Sequence, residues 1–231
     1  MSNTEQHISE RELAGYIDHT LLDATATKDR IKQLCQEARA CGFHTVCVNG
    51  RWVALAAELL AGSKVAVGGV VSLPLGADST RVKVAQAKDA IFAGADEIDM
   101  VADLAAIIEA DSKYLLNQLR AVLKVCRSMR PAVVLKVIIA SAALNNDQKI
   151  FACRTAQQAG VDFIKTSTGL HPAGGATLED VKLMKQTAPN CKIKAAGGIR
   201  TAKQVLEMLE AGAERIGTSS GVQIMEGFKA G

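Results

Sequence analysis

One short pattern recurs along this 231-residue chain and limits how the chain can fold. Ala93-Gly94-Ala95-Asp96, Ala159-Gly160-Val161-Asp162 and Ala211-Gly212-Ala213-Glu214 each precede a short apolar stretch, and Cys41-Gly42-Phe43-His44 is a looser copy. In each copy the glycine can adopt the left-handed conformation that ends a helix, and the chain then turns into a strand. The pattern therefore predicts a repeated helix–turn–strand unit.

Helical and strand-like stretches alternate along the whole chain. The apolar residues of 30–41 fall on one face of a helix. Eight strands are predicted, at 16–21, 45–48, 65–71, 97–101, 133–139, 163–167, 192–196 and 215–219. Strands separated by helices are parallel, and eight such units in a chain of this length predict an α/β fold, a (β/α)8 TIM barrel. No linker divides the sequence, so we expect a single domain over residues 1–231.

The composition argues against several classes of protein. Hydrophobic residues are 48% of the chain but aromatic residues only 3%, so the apolar residues are mainly aliphatic, as in parallel strands and the helices around them. The net charge of +3 is spread along the chain, and with few aromatic rings to stack on bases we expect no nucleic-acid partner. Residues 1–10 lack the apolar core of a signal peptide, and no apolar run reaches membrane-spanning length.

The cysteines and histidines indicate neither a disulfide scaffold nor a metal site. The six cysteines form no C-x-x-C pair, so we expect reduced thiols in a cytoplasmic protein. The histidines are His7, His19, His44 and His171, and their spacing does not suggest a shared metal site. His19 follows Asp18 at a predicted strand end, so we expect it to be able to reach the mouth of the barrel.

The repeat also sets a register between alternate strands. The fifth residue after each helix-ending glycine is Cys47, Asp99, Lys165 or Gly217. Alternate strands of such a barrel contribute side chains to one shared layer, so we expect these four residues at equal height, pointing inward. Asp99 and Lys165 would then lie in the same layer inside the barrel.

Strand alternation also predicts that Lys165, Lys194 and Lys136 point inward. One buried strand lysine can be a structural ion pair, but two on adjacent strands with an acid nearby favour catalysis. Burial and a second ammonium both favour the neutral amine, which can attack a carbonyl carbon. We therefore predict a Schiff-base enzyme in which one of Lys165 and Lys194 is the neutral nucleophile and the other stays charged beside it, with Asp99 able to move protons.

Glycine and serine loops follow the last two predicted strands. Gly197-Gly198 precedes a helix that begins near Thr201, and Ser219-Ser220-Gly221 opens the last helix. Barrels of this kind often bind phosphate at these two loops, through backbone N–H groups and a helix N-terminus. Either loop alone could be only a turn or a cap, but the two together indicate a phosphate site.

These motifs resemble the 2-deoxyribose-5-phosphate aldolase family over nearly the whole chain. Matching stretches include Asp18-His19-Thr20-Leu21-Leu22, Glu97-Ile98-Asp99-Met100-Val101 and Leu135-Lys136-Val137-Ile138-Ile139, and the most specific are residues 163–169, 194–200 and 217–222. The resemblance implies reversible cleavage of 2-deoxy-D-ribose 5-phosphate to acetaldehyde and D-glyceraldehyde 3-phosphate. It also implies that no metal or organic cofactor takes part.

The resemblance assigns roles to individual residues. It implies that Lys165 is the Schiff-base lysine, that Lys194 tunes it and shares in proton transfer, and that Asp99 is the acid/base partner. The residues implied around the phosphate are Gly169, Gly197, Gly198, Gly217, Ser219 and Ser220. Asp18 and Lys136 match further residues that line the family's site. The expected partners are a small sugar phosphate and aldehydes, and a homo-oligomer is left open.

The sequence departs from the family pattern near the predicted mouth. Asp23-Ala24 stands where Lys-Pro is usual, and Ala140-Ser141 where Glu-Thr is usual, which removes a carboxylate. Three alternatives stay open. The chain could be a Schiff-base aldolase or transaldolase for another sugar phosphate, a non-catalytic sugar-phosphate-binding barrel, or a flavin or pyridoxal phosphate enzyme that uses the phosphate loops.

Overall fold

The repeated unit closes into a barrel. The computed structural model describes residues 8–230, so His7 and most of the segment 1–10 lie outside the described residues. Within 8–230, eight parallel strands pair in chain order, and the last pairs with the first. The predicted (β/α)8 barrel is confirmed.

The bounds of the elements follow the predicted alternation. The strands are β1 Ile17–Leu21, β2 Thr45–Val48, β3 Ala66–Val71, β4 Glu97–Val101, β5 Val134–Ile138, β6 Phe163–Lys165, β7 Lys192–Ala196 and β8 Arg215–Thr218. The helices are α1 Glu10–Gly15, α2 Lys28–Cys41, α3 Val53–Leu60, α4 Thr80–Phe92, α5 Leu104–Ile108, α6 Ser112–Arg127, α7 Asn146–Ala159, α8 Leu178–Thr187, α9 Ala202–Glu210 and α10 Gly221–Lys229. Short 3-10 turns lie at Gly50–Trp52 and Ser141–Ala143.

The recurring glycines end helices as predicted. Gly42, Gly94, Gly160 and Gly212 have φ angles of 71°, 102°, 83° and 108°, the left-handed range that glycine adopts without steric cost. Each glycine therefore turns the chain from a helix directly into the next strand.

Helix α2 shows why these sequences form amphipathic helices. The hydroxyl of Thr27 caps its first turn by accepting a hydrogen bond from the N–H of Arg30. Its buried stripe consists of Ile31, Leu34, Cys35 and Ala38. Burying an aliphatic side chain of leucine size contributes about 1.5–3 kcal/mol, so the stripe holds the helix on the barrel. No helix within residues 8–230 is long and apolar enough to cross a membrane.

Strand β6 is shorter than predicted. It ends at Lys165 rather than at residue 167. The hydroxyls of Thr166 and Ser167 both donate to the carbonyl oxygen of Ala196, so side chains take over the contact with β7 where the backbone ladder ends. The chain is thus free to leave the sheet immediately after the lysine.

The strand register places the four predicted residues in one layer. Asp99 pairs with Lys136, which pairs with Phe163, two residues before Lys165. The same offset of two residues recurs at each of the four steps around the barrel, which makes a total stagger of eight residues. This stagger is typical of the fold and brings residues of alternate strands to equal height. The register prediction is confirmed.

The inward-facing residues form three layers below the mouth, and each layer contains charged side chains. The upper layer contains Cys47, Asp99, Lys165 and Gly217, the middle layer Asp18, Gly68, Lys136 and Lys194, and the lower layer Thr45, Glu97, Phe163 and Arg215. The aliphatic core lies outside these layers, between the sheet and the helices. The barrel therefore holds a buried cluster of charges where an ordinary barrel holds branched apolar side chains.

Candidate active site

A cavity of about 920 Å³ opens at the C-terminal ends of the strands. Six of the residues predicted for the site line it, namely Lys165, Gly169, Gly197, Gly198, Gly217 and Ser219. Asp18 and Lys136 do not line this cavity, because both lie in the middle layer, below the cavity floor. Asp99, Lys194 and Ser220 also lie outside the lining.

Lys165 belongs to the buried cluster of ionisable side chains and also lines the cavity. It is 2% exposed and lies at the end of β6, facing inward. Its Nζ lies 2.7 Å from the Oδ2 of Asp99. Any ligand in the cavity would therefore meet the amine of Lys165 before it met the charges below.

Asp99 bridges the lysines. Its Oδ2 also accepts a hydrogen bond of 2.7 Å from Lys194, and its Oδ1 lies 3.0 Å from the Nζ of Lys136. Burial alone would raise the pKa of Asp99, but the three neighbouring lysines hold it well below its usual range. Asp99 is thus a carboxylate, and it connects the middle layer to Lys165.

The other two lysines are held in their charged forms. Lys194 contacts Asp18 and Asp99, and Lys136 contacts Asp18, Asp99 and Glu97. Burial lowers the pKa of each lysine, but the carboxylates around them more than offset it. The pKa of Lys194 is raised, and the pKa of Lys136 is raised well above its ordinary value.

Sequence reasoning did not single out Glu97 and Arg215. A guanidinium N–H of Arg215 donates to the Oδ1 of Asp18 at 2.9 Å and to the carboxylate of Glu97 at 3.2 Å. Glu97 precedes Asp99 by two residues and Arg215 precedes Gly217 by two. Strand alternation could therefore have placed both inward, one layer lower.

The buried cluster has one more cation than it has carboxylates. Within residues 8–230, the ion-paired side chains inside the barrel are the cations Lys136, Lys165, Lys194 and Arg215 and the carboxylates Asp18, Glu97 and Asp99. Lys136, Lys194 and Arg215 offset burial of the carboxylate and lower the pKa of Asp18 to about 2. The pKa of Glu97 is also held well below its usual range, again against burial, by Lys136, His44 and Arg215.

Lys165 is the lysine of this cluster whose pKa is lowered. It contacts one carboxylate, whereas Lys194 contacts two and Lys136 three. Burial lowers the pKa of Lys165, and the ammonium of Lys194 lowers it further, against the opposing pull of Asp99. The arrangement can thus supply a neutral amine at the floor of the cavity with proton carriers directly beneath it.

The two predicted phosphate loops differ in their helix N-termini. Thr201 and Gln204 form a capping box at the start of α9, so side chains of the chain itself already bond that first turn. No side chain caps the first turn of α10, which begins after Ser219 and Ser220. Because Ser219 is exposed and lines the cavity, the loop after β8 offers the more open anion-binding terminus.

Two glycines allow the loops and strands to approach closely at this mouth. Gly197 has a φ of 92°, and a Cβ there would lie 2.5 Å from the Oγ of Ser167 and 2.8 Å from the Cα of Gly175. A Cβ on Gly217 would lie 3.1 Å from the Cε of Lys194. Any larger residue at either position would therefore shift a loop or press on the buried lysine.

His19 does not reach the mouth of the barrel, contrary to the sequence-based expectation. It is 3% exposed, its Nε2 lies 2.7 Å from the Oε2 of Glu37 on α2, and its ring packs against Phe43 at 5.0 Å. The reason is strand alternation, because the residue after the inward Asp18 must face the helices. Burial also lowers the pKa of His19, which favours the neutral ring.

The closed parallel barrel and the lysine cluster under its mouth define an enzyme of the aldolase class. The sequence matches the family described as DeoC/LacD family aldolase over residues 13–227, and the chain belongs to this family.

Three relatives show how far the similarity extends. A deoxyribose-phosphate aldolase from Carboxydothermus hydrogenoformans is 46% identical over 225 residues, covering 97% of this chain and 98% of the relative. Another from Thermococcus gammatolerans is 50% identical over 221 residues, covering 94% and 97%. The tetrameric deoxyribose phosphate aldolase from Aeropyrum pernix superposes with a TM-score of 0.89 at 29% identity, covering 96% of this chain and 93% of that one.

Proposed function

We propose that this chain reversibly cleaves 2-deoxy-D-ribose 5-phosphate to acetaldehyde and D-glyceraldehyde 3-phosphate through a Schiff base on Lys165. The observation that carries the proposal is the position of Lys165, the lysine with one carboxylate contact, at the floor of the mouth cavity. The names of the relatives support the substrate.

The chemistry begins with the neutral amine of Lys165. Its nitrogen forms a bond to the aldehyde carbon of the open-chain sugar, and loss of water leaves a protonated imine. The imine draws electrons from the bond between carbons 2 and 3, which breaks when the hydroxyl on carbon 3 gives up its proton. The three-carbon product leaves as an aldehyde, and the two-carbon enamine stays on the lysine until it is protonated and hydrolysed.

Asp99 and Lys194 serve the proton movements from below the floor. Asp99 Oδ2 lies 2.7 Å from both Lys165 and Lys194, so a proton can pass between the lysines through one carboxylate. Neither Asp99 nor Lys194 lines the cavity, and each reaches the substrate through Lys165 or a water molecule. Both therefore act in proton transfer rather than in binding the sugar.

The phosphate is held at the start of α10. The uncapped first turn of this helix favours a dianion through its backbone N–H groups and its dipole. Ser219 and Gly217 line the cavity on this side, and Gly169, Gly197 and Gly198 face them from the loops after β6 and β7. Ser220 contributes as the residue that precedes the helix.

The test is a cleavage assay combined with mapping of the covalent intermediate. We expect cleavage of 2-deoxyribose 5-phosphate and much weaker cleavage of unphosphorylated 2-deoxyribose. Incubation with acetaldehyde and borohydride should add a two-carbon adduct to Lys165, which peptide mass spectrometry locates. Lys192→Met is the matched control, because Lys192 is an exposed lysine of the adjacent strand. An adduct mainly on Lys194 or Lys136, or none at all, contradicts the proposal.

We also infer a cytoplasmic setting and self-association. The six cysteines are free, and five of them are buried, which fits a reducing compartment. The tetrameric relative from Aeropyrum pernix supports a homo-oligomer. Light scattering of the purified protein measures the oligomeric state, and a monomer at all concentrations would contradict the second inference.

A further inference from the structure

A layer of charge lies under the catalytic lysines and takes no part in the chemistry described above. It consists of Arg215 on β8 and Glu97 on β4, which are 6% and 3% exposed. The two side chains bond each other at 3.2 Å, and Thr45 also donates its hydroxyl proton to Glu97. The cavity does not reach either charged side chain.

Arg215 differs from the other three cations in the barrel because its proton is permanent. A guanidinium does not lose its charge at any pH a protein survives, whereas a buried lysine can. Four cations face three carboxylates, so one positive charge has no partner. A lysine that gives up its proton removes this unpaired charge. Without Arg215, three lysines and three carboxylates would balance, and no lysine would need to be neutral.

Four successive contacts connect Arg215 to Lys165 at the cavity floor. Arg215 bonds the Oδ1 of Asp18 and leaves the Oδ2 for Lys194 and Lys136. Lys194 in turn bonds the Oδ2 of Asp99, which Lys165 also contacts. Removing the guanidinium would therefore leave carboxylate charge without a partner. A lysine that binds a proton could then neutralise this charge.

We propose that Arg215 is a positioning residue of the aldolase reaction, whose fixed charge in the layer below keeps Lys165 in its neutral, nucleophilic form. Glu97 opposes this effect, because its carboxylate cancels part of the positive charge of Arg215. The inference rests on the proposed Schiff-base function of Lys165. Arg215 thus makes the amine of Lys165 reactive without itself touching the substrate.

Among residues 8–230, the charged or titratable groups that face this path belong to the cluster or lie at its edge. Lys165 faces Asp99 from β4, Lys194 from β7 and the thiol of Cys47 from β2. Glu97 faces Lys136 and Arg215, and His44 lies 3.7 Å from it. Each variant below replaces only Arg215, Glu97 or both and keeps the other groups, so a change in the field at Lys165 is assigned to the substituted charge.

The experiment measures how imine formation depends on pH. Acetaldehyde is trapped with cyanoborohydride on the full chain, and the midpoint of the trapping profile is compared among variants. Arg215→Met restores equal numbers of cations and carboxylates, so Lys165 should hold its proton and the midpoint should rise by about one pH unit. Glu97→Gln removes a carboxylate, so the midpoint should fall.

Two further variants separate charge from structure. In Arg215→Lys the new amine can lose its proton, but contacts with Asp18 and Glu97 should keep it charged, so the midpoint should stay near the wild-type value. The double variant Arg215→Met with Glu97→Gln again leaves one cation unmatched, so its midpoint should return towards wild type. Opposite shifts in the single variants and their cancellation in the double variant support the inference. A loss of packing alone would move the two single variants in the same direction.

The outcomes distinguish this inference from the proposed function. If wild type traps acetaldehyde on Lys165 but Glu97→Gln and the double variant keep the wild-type profile, the inference is wrong and the function stands. If wild type traps nothing, the proposed function itself fails. Circular dichroism reports folding of each variant. If Arg215→Met does not fold, the acid shift of Glu97→Gln and its reversal in the double variant decide the question.

Discussion

Lys165 and Lys194 are both buried and both contact Asp99, yet the pKa of the first is lowered and that of the second is raised. The difference between them is Asp18, which bonds Lys194 and does not reach Lys165. Burial alone disfavours charge on both lysines. The number of carboxylates that each amine contacts therefore decides which lysine has a raised pKa and which a lowered one.

Replacing Lys194 tests this argument at a single residue. Lys194→Leu removes one cation, so the remaining three cations match the three carboxylates, and Lys165 should be protonated to higher pH. Since Lys194 is already fully buried, the leucine adds little desolvation and should not cancel the effect. We expect imine trapping to move to higher pH by about one unit, which is a free-energy difference of roughly 1.4 kcal/mol.

The same strand offers a control for Lys194→Leu. Lys192 is exposed, two residues earlier on β7, and Lys192→Leu removes the same charge where water screens it. Its trapping profile should match wild type. If the midpoint of the trapping profile of Lys194→Leu is unchanged or lies at lower pH, Lys194 does not tune the amine of Lys165 electrostatically.

Much of the residue-level site could be predicted by counting along the repeat. The count from each helix-ending glycine placed Asp99 and Lys165 in one layer, and the strand pairings confirm it. Glu97 and Arg215 lie two residues before the counted positions Asp99 and Gly217, so the count itself does not reach them. The repeat alone could not show which lysine has the lowered pKa, because that depends on distances between side chains that lie far apart in the chain, and only the family resemblance pointed to Lys165.

At the scale of single elements, α10 is placed by direct backbone contact with the barrel. A Cβ on its first residue, Gly221, would lie 2.8 Å from the Nδ1 of His19 and 3.0 Å from two ring carbons of Phe43. His19 is in turn fixed by its bond to Glu37 on α2. The outward face of β1 thus sets the position of the helix N-terminus that we propose to hold the phosphate.

A pair of glycine substitutions in α10 tests this placement. Gly221→Ala should push the helix start away from β1, and we expect KM for 2-deoxyribose 5-phosphate to rise about tenfold or more while acetaldehyde trapping changes little. The reason is that the donors of the first turn would move relative to the phosphate. Steady-state kinetics with the phosphorylated sugar gives the measurement.

Gly227 in the same helix is the matched control. It is exposed, and a Cβ there would meet nothing within 4 Å. Gly227→Ala should leave KM unchanged and raise stability by up to about 1 kcal/mol, since alanine favours helix over glycine. Equal KM values for the two variants would show that the position of α10 does not matter for substrate binding.

Most elements could be predicted from periodicity and from the glycines, and β2, β4 and β7 match their predicted bounds at both ends. The early end of β6 could not be predicted, because it depends on hydroxyl groups bonding a carbonyl of a different strand. The direction of His19 could be predicted from strand alternation, because Asp18 before it points inward, although its position near a strand end suggested the mouth of the barrel.

At the scale of the whole molecule, the charges inside the barrel divide between its two halves. Among the described residues of the buried cluster, the carboxylates Asp18, Glu97 and Asp99 lie on β1 and β4, and the cations Lys136, Lys165, Lys194 and Arg215 lie on β5 to β8. Neither half alone can pair its own buried charges, and an unpaired buried charge is strongly destabilising.

A chain divided between α6 and β5 tests this division. We expect that fragments 1–130 and 131–231 do not fold separately, but form a one-to-one complex on co-expression that traps acetaldehyde on Lys165. Opposite charges on the two inner surfaces favour the complex over self-association. Circular dichroism and light scattering of each fragment and of the mixture give the result, and a stably folded homodimer of either half would contradict it.

The same division constrains how the protein folds during synthesis. The strands with the carboxylates leave the ribosome first, and they can only keep these groups in water until their partners arrive. The last partner, Arg215, is on the final strand. A chain that lacks β8 therefore has no dry barrel interior to settle into, and we expect the barrel to close cooperatively only once β8 is available.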